Sequence, residues 1–472
     1  ELTVSLKAGA INNMLAVPEQ GGRLAAERGT RDANGVINVE RAASTPCAVV
    51  DAGNCPKEPS WKITAIRVVY DPAKKRMRYQ GARVSLFGFA TLPLPAFSHS
   101  VGAGNASGLL APSIRLDAVN GFEVALPYYL TLGPNRDVTV TPHLFTRTLP
   151  MVQAEYRQLT GNGAFRVTGY GTYSRRSDDY VSPTPLVPNK YALRGYLDAA
   201  GRFQLDPNWS VSGSLRVASD RTFLRRYDIS SDDRLRSNIR IERIDRNSLL
   251  SINGWAVQTL RPSESQGLQP VALPEIDYRL RFGQSLLEGG RFELQINSLA
   301  IGRASGQDTQ RAFASLRYDL RKLTAWGQEI TLTAYGRGDL YNTDDVTATS
   351  QITYRGLEGF RGRAIGALAL DMKWPLIGEA FGGVQRITPR FQIVAAPKLE
   401  NFDIPNEDAR SVDLEDSNLF ALNRFPGYDR FEDSTRFTFG LDYALYLPGL
   451  SVEANIGQSY RLDSRPAILP DG

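Results

Sequence analysis

Three prolines, Pro112, Pro127 and Pro142, stand inside a stretch that otherwise reads as consecutive antiparallel strands. The strands are expected at Leu109–Ala118, Gly121–Leu132 and Asp137–Thr146. Turns at Val119-Asn120-Gly121 and at Gly133-Pro134-Asn135-Arg136 join them; Asn-Gly and Gly-Pro-Asn are strong hairpin signals. Proline has no N–H to give a neighbouring strand, so it belongs at edges, bulges or weakened seams rather than in the middle of a closed sheet. Two readings are open. The prolines sit harmlessly at bulges or strand ends, or they thin the ladder, each removing a hydrogen bond worth about 0.5–1.5 kcal/mol.

Downstream of this stretch the chain is one hairpin after another with a period of two. Trp209, Val211, Gly213, Leu215 and Val217 alternate with Ser210, Ser212, Ser214 and Arg216. Phe292, Leu294 and Ile296 alternate with polar neighbours, as do Ile330, Leu332, Ala334 and Gly336. Each run covers about ten residues, the length a tilted strand needs to cross a bilayer. Short turns at Asp206-Pro207-Asn208 and Asp245-Arg246-Asn247 alternate with longer polar loops near 178–190, 260–274 and 341–346. That asymmetry is characteristic of outer-membrane barrels. The competing architectures are a large soluble sandwich and a propeller, and the chain lacks the blade-length repeat a propeller needs. About sixteen or seventeen strands can be counted.

Upstream, residues 1 to about 100 carry shorter alternating segments, Leu2–Leu6, Trp61–Tyr70 and Arg76–Leu86, with a turn at Asp71-Pro72 and no helical period. A β-sandwich or β-roll is expected there. A length of 472 residues suggests at least two units. No apolar run reaches the ~18 residues of a transmembrane helix, which leaves a membrane barrel open because barrel strands alternate apolar and polar side chains. The chain starts at Glu1 without a signal peptide and reads as a piece of a longer precursor. Its formal charge of +5 suits either an anionic cargo or merely solvated faces.

Catalytic chemistry has little to build on. The histidines are His99 and His143 and the cysteines Cys47 and Cys55, which do not make a zinc-ligand set. Phosphate-loop, nucleophile-elbow and dinucleotide fingerprints are missing. No cofactor and no metal is expected. His143, beside Pro142, reads as a lumen or interface residue; a barrel lipid hydrolase would need a serine close to it and an acidic or amide orienter. Cys47 and Cys55, in the segment TPCAVVDAGNCPKEP, suit a local disulfide in an oxidising compartment or pairing with cysteines outside this chain. The stretch Ile387–Asp433 reads as a strand followed by a long loop of acids, amides and arginines interleaved with Phe and Tyr. The loop is expected to be a surface loop held by internal ion pairs, with direct cargo contact as the alternative.

Several segments together resemble the LptD family of LPS-assembly outer-membrane proteins. They are CPKEPSWKITAIRVVYDPAKKRMRYQGARVSLFGFATLPLPAFSH, SGLLAPS, GFEVALPYYLTLGPNRDVTVTPHLFTRTLPMVQAEYR, ITPRFQIVAAP, NLFALNRFPGYDRFED and IGQSYR. The resemblance implies an all-β chain: a partial periplasmic β-jellyroll over 1–100, then part of a large antiparallel transmembrane β-barrel over 108–472, of about two dozen strands when complete. It implies lipopolysaccharide transport and assembly at the outer leaflet of the outer membrane. Acyl chains would pass from the jellyroll interior through a lateral gate between the first and last barrel strands, while the sugar crosses the lumen. Implied partners are lipopolysaccharide, a plug lipoprotein (LptE), a periplasmic bridge of similar jellyrolls (LptA) and outer-membrane lipids, with no nucleic acid. Pro112 and Pro127 occupy the motif positions of the gate prolines, and Pro142 is left structural. Cys47 and Cys55 correspond to the jellyroll-side cysteines that members with four cysteines link to the barrel.

The expectation is therefore a non-enzymatic outer-membrane translocon with its N-terminal domain in the periplasm. The runner-up is a passive diffusion porin, which needs neither a soluble N-terminal domain nor a thinned seam. Which side chains of Trp61–Tyr70 face inward is not fixed by the sequence.

Overall fold

The structure, a computed structural model, describes residues 8–16, 23–45, 59, 61–73, 76–86, 90–93, 97–100, 107–175, 191–283, 289–350, 352–409 and 415–462. Leu2–Leu6, Cys47, Cys55 and the loop expected near 178–190 lie outside them. The described chain falls into two compact units, one reaching to Arg175 and adding 191–199 and 218–231, the other comprising 200–217 and 232–462.

The first unit opens with an antiparallel sheet. Its strands are β1 (Gly9–Ala16), β2 (Arg23–Arg31), β3 (Ile37–Thr45), β4 (Trp61–Asp71), β5 (Arg76–Gln80), β6 (Arg83–Leu86), β7 (Ala90–Pro93) and β8 (Phe97–Ser100). The order is β1-β2-β3-β4-β5-β8, with β6 against β4 and β7. The expected strand Arg76–Leu86 is divided: Gly81 takes φ +60, and β5 and β6 pair with successive parts of β4. The apolar core is Ala26, Val39, Ala42, Ala65, Val68, Tyr79 and Ala82, joined by Met14, Leu24, Ile37, Ile63 and Met77.

That core does not follow one parity. In β4 the buried residues are Ala65 and Val68, while Ile66 between them is 71% exposed. The same odd spacing recurs in β3, with Val39 and Ala42 buried. Arg41 sits between these two at φ +50, and Asn13 on β1 stands at φ +54. A residue in the left-handed region reverses which face its neighbours address, so the interior-facing set of β3 switches parity at Arg41, and β4, paired with β3 on either side of that residue, switches beside it.

The rest of the first unit consists of β9 (Gly108–Leu109), β10 (Ser113–Asp117), β11 (Gly121–Ala125), β12 (Tyr128–Gly133), β13 (Arg136–Phe145), β14 (Met151–Thr160), β15 (Gly163–Arg175) and the first part of β16 (Tyr191–Gln204). A one-turn helix, α1 (Phe223–Arg226), lies in the segment 218–231.

The second unit takes the end of β16 and most of β17 (Trp209–Ala218). It continues with β18 (Arg234–Ile244), β19 (Ser248–Thr259), β20 (Val271–Phe282), β21 (Arg291–Gly302), β22 (Asp308–Leu323), β23 (Glu329–Asp344), β24 (Gly359–Lys373), β25 (Leu376–Ala380), β26 (Gly383–Ala395), β27 (Arg436–Leu447) and β28 (Leu450–Arg461). From β17 to β28 each strand pairs antiparallel with its sequence neighbour, except that β24 and β25 both pair with β26. The expected turn at Asp206-Pro207-Asn208 is present, with the Asp206 carboxylate accepting from the N–H groups of Asn208 and Trp209. The loop expected near 341–346 is instead strand: β23 runs to Asp344, paired with Asp308.

The burial pattern of this unit inverts that of a soluble sheet. On β23, Thr333, Arg337, Asp339, Tyr341 and Thr343 are buried while Leu332 and Leu340 are exposed. β22 buries Thr309, Arg311, Phe313 and Ser315 and exposes Leu316; β24 buries Arg363 and exposes Phe360, Leu368 and Leu370. An apolar outer face with a polar inner one suits a sheet whose outer solvent is hydrocarbon. No described helix is long and apolar enough to cross a membrane.

Candidate functional site

Two sites stand out, one in each unit. The first is the proline stretch. β9 and β10 are halves of one strand interrupted at Leu110–Pro112, and β11 and β12 are halves of the next, interrupted at Leu126-Pro127. Leu109 pairs with Tyr128 and Ser113 with Ala125, so the first strand carries an extra residue across the gap, a bulge. β13 passes both halves of its neighbour without a shift: Ala125 pairs with His143 and Tyr128 with Val140. The N–H of Leu110 donates to the Pro127 carbonyl at 2.8 Å, and that of Leu126 donates to the Pro142 carbonyl at 3.1 Å. Pro112 and Pro127 therefore lie at adjacent breaks in neighbouring strands, each one donor short, whereas Pro142 is inside an unbroken strand. Both readings of the prolines described part of this: there is a bulge, and the ladder is thin.

A row of polar side chains crosses the strands just beyond the breaks. Glu123 on β11 faces His143 on β13, with Oε1 2.7 Å from Nδ1, and lies 4.0 Å from the Arg115 guanidinium on β10. His143 Nε2 is 3.2 Å from Gln153 Oε1 on β14. The imidazole is thus held between a carboxylate and an amide, and neither ring nitrogen is turned to a serine. The hydrolase reading lacks its nucleophile at this position. The side chain of His99, on β8, lies outside the described residues.

The second site was only half legible in the sequence. The described parts of the loop, 396–409 and 415–435, do not form a surface loop; they are folded against the polar face of β21–β24 and packed there by charge. β24 extends beyond its pairing with β26, which ends at Leu368 opposite Ala395. Along that extension Ile365 and Ala367 pack with Leu399 and Phe431 of the loop. Arg311 on β22 pairs with Asp408 (2.7 Å) and Asp429 (2.6 Å). Arg363 on β24 binds Asp339 on β23 (2.6 Å), Asn401 (3.0 Å) and the Asp429 carbonyl (2.9 Å). Arg337 binds Asp339 (2.5 Å) and the Tyr428 carbonyl (2.8 Å). The Tyr428 hydroxyl accepts from Arg279 and Gln295, each at 2.9 Å. The expected ion pairs exist, but most join the loop to strands rather than to itself.

Within the loop, two carboxylates make a reciprocal clasp. Asp408 Oδ1 accepts from the N–H groups of Tyr428 and Asp429, each at 3.0 Å. Asp429 Oδ2 accepts from those of Glu407 (2.7 Å) and Asp408 (3.1 Å). Gly427, at φ +70, makes the clasp feasible, because a Cβ there would stand 2.5 Å from the Asp408 carboxyl. Burial works against ionising Asp429, yet Arg311 and the backbone donors overrule it and hold its carboxyl below the usual range. Asp408 goes the other way: burial and the Asp429 charge push it up to about 6. Burial likewise brings Arg430 down to about 10.

Farther along, the loop stands on β27 and β28. Leu419 and Phe420 lie over Gly457 and Gly440, where an added Cβ would come within 2.4 Å of Leu419 and 3.1 Å of Phe420. Arg424 and Arg436 both bind Glu432 at 3.1 Å. Among the described residues no cluster of three or more His, Cys, Asp or Glu side chains is placed to hold a metal ion. The arrangement fills and braces a polar face.

Comparison with known proteins decides the family. A family model described as LptD, LPS transport system D, matches residues 193–472, more than half of the chain. The chain belongs to the LptD family. It is 26% identical to the LPS-assembly protein LptD of Acinetobacter baumannii over 455 residues, covering 91% of this chain and 53% of that protein. The LptD of Polaromonas sp. is 26% identical, covering 92% and 53%, and that of Psychrobacter cryohalolentis 24% identical, covering 88% and 43%. The chain therefore spans about half the length of the curated relatives it matches. A crystal structure of Pseudomonas aeruginosa OccK10 (OpdN) aligns over 75% of this chain at 11% identity with a TM-score of 0.24, too low to carry an argument. For an LptD chain, the exposed apolar and buried polar faces of β21–β24 are the lipid and lumen sides of an outer-membrane β-barrel.

Proposed function

We propose that this chain is the transporting part of a lipopolysaccharide assembly protein of the outer membrane, with residues 1–100 as a periplasmic jellyroll and 108–472 as barrel wall. The observation that carries the reading is the pair of adjacent strand breaks at Pro112 and Pro127 in a member of the LptD family. A seam that must part sideways is cheaper to open where backbone hydrogen bonds are already missing. Acyl chains would be sheltered from water by an apolar interior such as that of Ile63, Ala65 and Val68, and pass from there to the seam. The chain then acts without catalysis of its own. Its partners are lipopolysaccharide, a lumen-filling lipoprotein (LptE), a periplasmic bridge protein (LptA) and the surrounding outer-membrane lipids. A disulfide role for Cys47 and Cys55 is part of the same reading.

Photo-crosslinking side chains in the full-length protein in cells test it. Crosslinkers at Ile63 and Val68 should capture lipopolysaccharide, and one at Ile66, on the opposite face, should not. Equal capture at all three positions, or none at any, would overturn the path.

A further inference from the structure

The hairpin that carries Pro112 is held by something other than its ladder. Beyond the breaks, β11 pairs with β13 only from Glu123 to Ala125. The turn is then tied by Thr146 and Arg147 at the end of β13: the Asn120 and Phe122 carbonyls accept from their N–H groups, and the Ala118 carbonyl accepts from the Arg147 side chain at 2.7 Å. The remaining support comes from the segment 219–230, far away in sequence. Asn120, 2% exposed, donates from Nδ2 to the Arg226 carbonyl at 2.6 Å, at the end of α1, and to Asp117 at 2.7 Å. Arg115 Nη1 binds Asp228 Oδ2 at 2.8 Å. The Tyr227 ring lies 5.6 Å from that of Phe145.

The segment itself is firmly seated. Arg194 on β16 binds Asp220 through two 2.8 Å hydrogen bonds in a nearly water-free site. Arg194 holds the Asp220 carboxyl down at about 2 although burial opposes its ionisation. Phe223 and Leu224 are fully buried, and the Tyr227 hydroxyl donates to Ser174 on β15 at 3.0 Å. One side of the segment is thus locked to β15 and β16. The other side grips the hairpin through a carbonyl and through an exposed ion pair, with 50% of the Arg115 and 80% of the Asp228 side chain accessible. A fixed anchor whose grip is one hydrogen bond from buried Asn120 and one water-exposed ion pair is the arrangement of a releasable clamp.

We propose that the segment 219–230 is the clamp of the proline hairpin, with Asn120, Arg115 and Asp228 as positioning residues, and that releasing it lets Ser113–Ala125 pivot about the breaks at Pro112 and Pro127. This rests on the transport reading and adds its control point: the seam is thinned by the prolines and kept shut by a contact outside the sheet.

The test uses the full-length protein assembled with its partners, with spin labels on unnatural side chains at positions 119 and 152, both exposed. Distance distributions between them are compared for the unaltered protein, Arg115→Asp, Asp228→Arg and the double variant that restores an ion pair in reverse. Each single variant should at least double the width of the distribution, and the double variant should bring it back. Unchanged widths in the single variants, or a double variant as broad as they are, would overturn the clamp. Heat-modifiable gel mobility reports barrel assembly. If a reversal blocks assembly, Arg115→Gln and Asp228→Asn carry the same reading, each expected to broaden the distribution and contradicting the clamp if it does not. Lipopolysaccharide export measured with the first and last strands cross-linked judges the transport reading separately, because the distance result does not depend on it.

Discussion

The proline stretch and the charge-packed loop solve opposite problems with the same backbone. From Asp308↔Asp344 to Leu323↔Glu329, β22 and β23 pair without a break, and their buried face is sealed by Arg311, Arg337, Arg363, Asp339 and Asp429. β10 and β11 pair only from Ser113↔Ala125 to Asp117↔Gly121 before the ladder is interrupted, and the ion pair on that hairpin is open to water. One region is built so that a loop stays in place. The other has given up hydrogen bonds where a continuous strand would have kept them. The proposed lateral gate needs the second kind of region, and the first shows what the same kind of strand pairing looks like when nothing is given up.

The contrast can be broken most directly at its strong end. Arg363→Ala takes one of the two cations from buried Asp339, whose other partner is Arg337, and removes a donor from Asn401 and from the Asp429 carbonyl, so it should cost about 3 kcal/mol. Urea unfolding and protease cleavage within the Ala396–Thr435 loop read the loss. A cost below ~1 kcal/mol would mean the network is as dispensable as a surface pair.

The next effect is pH-dependent. The Asp408 carboxyl sits at about 6, above the 3.8 of an ordinary aspartate, so the folded protein holds that proton more tightly than the unfolded chain does. The corresponding stability is fully present below pH 3.8 and is lost as pH rises through 6. Acidifying from neutral pH to about 5 should therefore protect the loop from proteolysis, by on the order of 1–3 kcal/mol. Asp408→Asn, neutral throughout, should remove the step; a step that persists in this variant would assign it to another group.

At the weak end, Pro112→Ala and Pro127→Ala each return an N–H to the seam. Where that N–H finds a carbonyl, each should add about 0.5–1.5 kcal/mol of local protection. Hydrogen exchange at Leu110 and Leu126 reads the protection, and the double variant should slow lipopolysaccharide export. The smallest effect marks the baseline. Arg41–Glu27 is an exposed pair in the first sheet, and Arg41→Gln should shift its unfolding by less than ~1 kcal/mol.

Much of this contrast could be read in the residues. Asn120-Gly121 marked its turn, the two-residue period located β17, β21 and β23, and Pro112 and Pro127 stand at breaks because a missing donor is a local property, although Pro142 lies in an unbroken strand. Three features were not readable, each for a physical reason. Tyr341, Asn342, Thr343 and Asp344 look like a polar loop, yet Tyr341 and Thr343 are buried because the face they address is filled by charged protein rather than water. Acids and arginines in the loop pointed to ion pairs but not to their partners, since Arg311, Arg337 and Arg363 lie on three separate strands. The inward side chains of Trp61–Tyr70 follow no single parity, because the interior-facing set changes between Ala65 and Val68. The helical clamp on the hairpin gave no signal: Phe223–Arg226 is one turn long, and its contacts are visible only once Asn120 and Arg226 are side by side.

In the proposed transport path, the proline-broken strand borders a seam that opens for cargo. A cysteine pair in the full-length protein in cells, joining the strand near Pro112 to the last barrel strand, tests it most directly. The lateral-gate account predicts that lipopolysaccharide stops reaching the cell surface and that reduction restores it. Unchanged surface lipopolysaccharide together with a fall in small-solute permeability would contradict it and make the chain a diffusion pore.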